Sequence, residues 1–186
     1  MTTPAPVRIV PLIYNGPKIV GDFGWMIEQP EYGRALFVFN DDEEHFRAFA
    51  AGSPTGFARG GGSAVIRPHR RALPPRAAGV PTGRAGHGYD GLSPAVRRVV
   101  DAALDVVRAL LATGNYDTVY LSRDRARDTL GTSTFEVADD VRDYVFGDLC
   151  RMGLPEPWEY QRHVENAYGE EWIMGQDTDH TTRGRT

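Results

Sequence analysis

Apolar positions fall in short runs early in the chain and at helical spacing in its middle. Residues 7–13 are β-branched and apolar, interrupted by Pro11, the pattern of an edge strand or a strand end. Residues 18–20 predict a second short strand, followed by the turn-like Gly21-Asp22-Phe23-Gly24. Residues 35–39 read Ala-Leu-Phe-Val-Phe, the continuous apolar run of a buried strand. That run stops at Asn40-Asp41-Asp42, which predicts a cap for a helix over 43–51 with Glu43 and Glu44 in its first turn.

The clearest element follows Ser93, a good N-cap, and Pro94, suited to the first helical position. Val96, Val99, Val100, Ala103, Leu104, Val107, Leu110 and Leu111 form one amphipathic stripe, while Arg97, Arg98, Asp101, Asp105 and Arg108 read as a solvated face. Gly114 marks the end of this helix, and Thr118 to Ser122 predict a strand after a short turn. A helix followed tightly by a strand is the unit of a three-layer α/β/α sandwich. A last helix is predicted over 139–152, burying Val141, Tyr144, Val145 and Leu149 and carrying Cys150 as a small core residue.

Residues 52–91 break the periodic pattern. Glycine, proline and arginine dominate there, and only 64–66 and 77–80 read as ordered. An irregular stretch of that length within a compact domain points to function. Its arginines either contact phosphate oxygens or remain solvated loop charges. After Pro155 the chain turns aromatic and acidic. The reading is of one domain over 1–174 with a C-terminal helical extension and a disordered polar tail over 175–186.

Composition narrows the partners. Formal net charge is −4, which disfavours a nucleic-acid duplex as ligand. A single cysteine rules out an internal disulfide and argues against a Cys-based zinc site. The five histidines have no spacing that suggests a metal site. No apolar run approaches a membrane span, and no leader sequence is legible, so a cytoplasmic protein is expected. No cofactor is predicted.

The candidate chemistry lies in Ala58-Arg59-Gly60-Gly61-Gly62-Ser63-Ala64-Val65-Ile66. Glycines let backbone N–H groups approach a ligand closely, and successive N–H groups in a bend form an anion nest. This segment therefore reads either as a phosphate cradle or as a flexible loop.

Its neighbours carry a resemblance. Gly21-Asp22, then Phe37-Val38-Phe39-Asn40, then Gly60-Gly61-Gly62-Ser63 occur in the order found in macrodomains, which bind ADP-ribose. A second glycine-rich stretch over 78–93, a long helix and the strand at 118–122 extend the likeness over roughly residues 7–122. The resemblance implies a macrodomain-like three-layer sandwich with a mixed central sheet. It implies that Asp22 accepts a hydrogen bond from the adenine amino group and that Asn40 lies near the distal ribose. Gly60, Gly61, Gly62 and the adjoining Ser63 correspond to the first phosphate-side loop; Gly86, His87, Gly88 and Tyr89 correspond to the second.

Departures from the family concern catalysis. Hydrolytic macrodomains carry a second asparagine three residues after the first and an aspartate after the glycines, where this chain has Glu43 and Ser63. Residues 86–92, Gly-His-Gly-Tyr-Asp-Gly-Leu, resemble a motif of the branch that removes ADP-ribose from glutamate, which makes Asp90 the catalytic candidate. The lysine of that branch has no counterpart, since Lys18 is the only lysine. Asp90 fits helix capping equally well. Thr132, Ser133 and Thr134 read as a structural turn, with phosphate contact as the alternative.

Three functions remain open on the sequence. One is binding of ADP-ribose or a related NAD-derived nucleotide, including sequestration of a cyclic ADP-ribose-like signal. Another is hydrolysis of an ADP-ribosyl or phosphate ester bond on the same scaffold. The third is a Rossmann-like interaction protein with no nucleotide chemistry.

Overall fold

The structure is a computed structural model and describes residues 6–132 and 135–155. The tail at 175–186, the domain boundary before it, and Ser133 and Thr134 lie outside the described residues.

The chain is a mixed α/β protein built on one mixed sheet. Its strands are β1 (Arg8–Leu12), β2 (Ala35–Asp42), β3 (Ala77–Arg84), β4 (His87–Gly88), β5 (Thr118–Ser122) and β6 (Leu154–Pro155), in the order β4-β3-β2-β5-β1-β6. All neighbours run parallel except β4, which pairs antiparallel with β3. Helices are α1 (Phe23–Met26), α2 (Glu43–Ala50), α3 (Pro94–Ala112) and α4 (Asp139–Cys150). Among the described residues, three 3₁₀ segments cover Pro30–Tyr32, Pro54–Phe57 and Gly62–Arg71.

Local signals explain the long elements. Ser93 accepts a hydrogen bond from Val96 N at 3.2 Å, Pro94 opens α3, and Gly114 follows its C-cap with φ +72°. Asp42 caps α2 by accepting from Glu44 N at 2.8 Å. The strand before it runs on through Asn40 and Asp41, so the expected stop at Asn40 falls two residues late.

β2 buries both of its faces, as its uninterrupted apolar run requires. Leu36 and Val38 join Val100, Leu104, Val107, Val141 and Val145 in one cluster under α3 and α4. Phe37 turns the other way, 5.4 Å from the Phe23 ring and 5.2 Å from Tyr120 across the register. Pro11 lies beyond the two residues of β1 that β6 reaches, so its missing N–H interrupts no β6 pairing.

Two expectations are corrected. Residues 18–20 form no strand; they belong to a turn in which Lys18 has φ +61° and Gly21 φ +102°. The chain folds back so tightly that a Cβ on Gly21 would lie 2.1 Å from the Ile13 carbonyl oxygen. The stretch 52–91 is also more ordered than its composition suggests. It holds a ten-residue 3₁₀ segment and an eight-residue buried strand. A 3₁₀ segment repeats every three residues and so escapes a search for 3.6-residue periodicity.

Candidate functional site

The parallel strands converge with their carboxyl ends on one cleft of about 1120 Å³. Tyr14 follows β1, Asn40 and Asp42 end β2, Thr82 lies late in β3, and Ser122 ends β5; all line it. Crevices outside the carboxyl ends of parallel strands are where open α/β sheets take ligands, because loops there vary freely over a rigid base. The volume slightly exceeds the roughly 300–1,000 Å³ usual for small-molecule sites.

Asp22, Asn40, Gly60, Gly61, Gly62, Ser63 and Gly86 come together along this cleft. Asp22 also caps α1: Oδ1 accepts from Gly24 N at 3.1 Å and Trp25 N at 3.3 Å, and Oδ2 from Lys18 N at 2.9 Å. Asn40 donates from Nδ2 to the Gly131 carbonyl at 2.6 Å, tying β2 to the segment after β5.

His87, Gly88, Tyr89 and Asp90 do not line the cleft. His87 and Asp90 are exposed. A Cβ on Gly88 would meet the Glu136 carbonyl oxygen at 2.0 Å, so that position serves backbone packing. Tyr89 is buried in the core and donates to Glu43 Oε2 at 2.8 Å. Burial, then this bond, pushes its hydroxyl pKa far up. Glu43 also pairs with Arg47 at 2.7 Å. Burial raises its carboxyl pKa, but the Tyr89 and Arg47 contacts outweigh that and hold it below the ordinary value. Glu43 is therefore a structural carboxylate. Asp90 does not cap α3, which is capped by Ser93.

The glycine loop rests on a buried charge cluster that the sequence did not reveal. Asp41 Oδ1 accepts from Arg67 Nε at 3.0 Å and Nη2 at 2.8 Å, and Oδ2 accepts from Arg70 Nη2 at 2.6 Å. Arg67 Nη1 donates to the Ala58 carbonyl at 2.6 Å, and Arg70 Nη1 to that of Gly56 at 3.0 Å. The Arg70 guanidinium lies over the Phe39 and Phe49 rings, 5.0 and 4.5 Å from their centroids. These two arginines are thus neither solvated loop charges nor exposed phosphate contacts; they pin residues 56–71 to the end of β2. A legible signal existed: three residues apart on a 3₁₀ segment, they share one face.

The loop's shape follows from that anchor. A Cβ on Gly60 would come within 2.9 Å of both Ala64 Cβ and Arg67 Nη1, whereas one on Gly61 meets nothing within 4 Å. Gly62 takes φ +53° and opens the 3₁₀ segment. Two guanidiniums against one carboxylate leave the cluster with a net positive charge directly beneath Gly60.

The opposite wall is formed by residues 122–125 with Gly131 and Thr132. Arg123 N donates to Leu12 O at 2.8 Å and Gly131 N to Ser122 O at 3.0 Å. Asp124 accepts from Ala126 N, which chiefly holds its pKa below the ordinary value; burial opposes this, and Arg142 at 2.7 Å reinforces it. Arg125 donates to Asn15 Oδ1 at 2.6 Å, joining this wall to the turn after β1. Glu44 and His45 of α2 also face the cleft. Among the described residues, Arg59 at the rim is exposed and makes no hydrogen bond or ion pair.

Among the described residues no helix is long and apolar enough to cross a membrane, and no group of three His, Cys, Asp or Glu is arranged to hold a metal ion. Comparison with family models, curated proteins and solved structures returned no significant match to this chain.

Proposed function

We propose that this chain binds ADP-ribose or a related NAD-derived nucleotide, on an α/β/α sandwich of macrodomain type. One observation carries the reading: Asp22, Asn40, the 60–63 loop and Gly86, far apart in sequence, line a single cleft at the carboxyl ends of parallel strands. In this reading the diphosphate lies along the backbone N–H groups of 61–63, that of Gly60 being taken by the Ala64 carbonyl at 3.1 Å. Asp22 receives the adenine amino group; a carboxylate offers about four acceptor positions, and the backbone uses three. Asn40 lies toward the distal ribose.

The reading is of a binder. Glu43 is engaged with Tyr89 and Arg47, Ser63 carries no carboxylate, and Asp90 lies outside the cleft lining. That leaves the positions matched to the family's catalytic groups without a free base.

A thermal-shift titration with ADP-ribose tests it. A ligand that binds only the folded state at a hundred times its Kd adds about 2.7 kcal/mol, or roughly 5–11 °C in Tm for a chain of this size. No shift at millimolar ADP-ribose refutes the reading. Asp22→Ala weakens binding if the adenine contact is right.

A further inference from the structure

We infer that Arg59 is an anion clamp that closes over a phosphate held on the 60–63 loop, so that the cleft selects ligands carrying a diphosphate. This deepens the binding reading above by assigning the ligand's charged part to a side chain of this chain.

The argument is one of partners and placement. Four arginines line the cleft: Arg59, Arg67, Arg123 and Arg125. Arg67 is buried and held by Asp41 and Ala58. Arg123 pairs with Asp128 at 2.6 Å, and Arg125 is bound to Asn15. Arg59 alone has no intramolecular partner among the described residues, and it immediately precedes Gly60. Its free guanidinium retains five N–H donors in a fork that matches two phosphate oxygens.

The ground beneath the loop favours the same sign of ligand. The Asp41–Arg67–Arg70 cluster has excess positive charge, and the Arg67 Nη atoms lie within about 3 Å of where a Gly60 Cβ would be. Three of the five Arg67 N–H groups are taken by Asp41 and Ala58. A phosphate on the loop therefore sits between a buried, fixed guanidinium and an exposed one without a partner among the described residues. The fixed charge polarises the loop from behind, while Arg59 closes from the rim.

Calorimetry on the full-length protein and on Arg59→Ala and Arg59→Lys, with ADP-ribose, inorganic pyrophosphate and adenosine, tests the clamp. Arg59 is exposed and without partners, so the unliganded Tm of the variants stays at the wild-type value. Arg59→Ala is expected to weaken ADP-ribose and pyrophosphate alike by about ten- to a hundredfold. Arg59→Lys restores part of the loss, because it keeps the charge without the fork. Adenosine behaves identically with all three proteins. Equal ADP-ribose affinity in wild type and Arg59→Ala overturns the clamp and leaves the binding reading standing. Arg59-dependent pyrophosphate binding without ADP-ribose binding keeps the clamp and overturns the nucleotide reading. If neither anion binds the wild type, both fail.

Discussion

Replacing Asp41 by asparagine removes the one negative charge between two buried guanidiniums. The side chains of Asp41, Arg67 and Arg70 are 0, 4 and 2% exposed, so water cannot supply the missing charge. The amide keeps one acceptor oxygen but turns an NH₂ group toward either Arg67 or Arg70, donor against donor. Breaking a buried pair by removing one partner costs about 3–5 kcal/mol. For a chain of this size that corresponds to a Tm lower by roughly 6–20 °C. Urea denaturation checks the figure, with the midpoint falling at unchanged slope. Arg71→Ala provides the contrast within the same 3₁₀ segment: that guanidinium is exposed over the Phe57 ring at 4.4 Å. Its loss costs about 0.5–1 kcal/mol. Adding Arg70→Met to Asp41→Asn recovers stability, since one stranded charge is then gone. An Asp41→Asn loss below about 1 kcal/mol, or no recovery in the double variant, refutes the account of the cluster as the loop's anchor.

Glycines 60 and 61 should respond differently to alanine. Gly60→Ala forces its Cβ against Ala64 and Arg67 and lowers stability by about 1–3 kcal/mol, whereas Gly61→Ala, with open space around it, stays within about 0.5 kcal/mol of wild type by urea titration. Glu43 ties stability to pH: its folded-state pKa lies below the ordinary 4.5, so its contribution is full above 4.5 and is lost as pH falls through the lower folded value. Glu43→Gln flattens that acid limb in urea midpoints measured across it, and an unchanged limb contradicts the assignment. Asp90→Ala is expected to leave ADP-ribose affinity and stability unchanged within about 0.5 kcal/mol; a calorimetric loss of binding would bring Asp90 back into the site.

Binding and stability separate at Arg59 and at the buried cluster, but not at Asp22. Asp41, Arg67 and Arg70 shape the loop from below, and substitutions there act on folding first. Arg59 and Asp22 differ in kind: Arg59 has no fold role to lose, while Asp22 caps α1 with the carboxylate proposed to meet the ligand. Losing a cap costs about 0.5–2 kcal/mol, so Asp22→Ala binding data need the variant's own unliganded Tm as baseline.

Local patterning alone carried the long elements. Ser93 and Pro94 set the start of α3, the 93–114 stripe its buried face, and the run at 35–39 its neighbour strand. These signals are short-range: a cap, a periodicity, a β-branched or aromatic run. The ordered loops were not legible in the same way. Residues 62–71 look like a glycine- and arginine-rich linker until Asp41, more than twenty residues earlier, is brought against Arg67 and Arg70. Residues 122–125 and 131–132 became part of the cleft wall through Asn40 reaching Gly131 and Arg125 reaching Asn15. Residues 87–90, glycine-rich and equally suggestive in sequence, were turned away by pairing of β4 with β3 and by burial of Tyr89 on Glu43. Sequence by itself therefore determined the long helices and the central strand, and it nominated two glycine loops. Only tertiary structure decided which of their residues line the cleft, because burial and long-range charge pairing depend on which distant segments the sheet brings together.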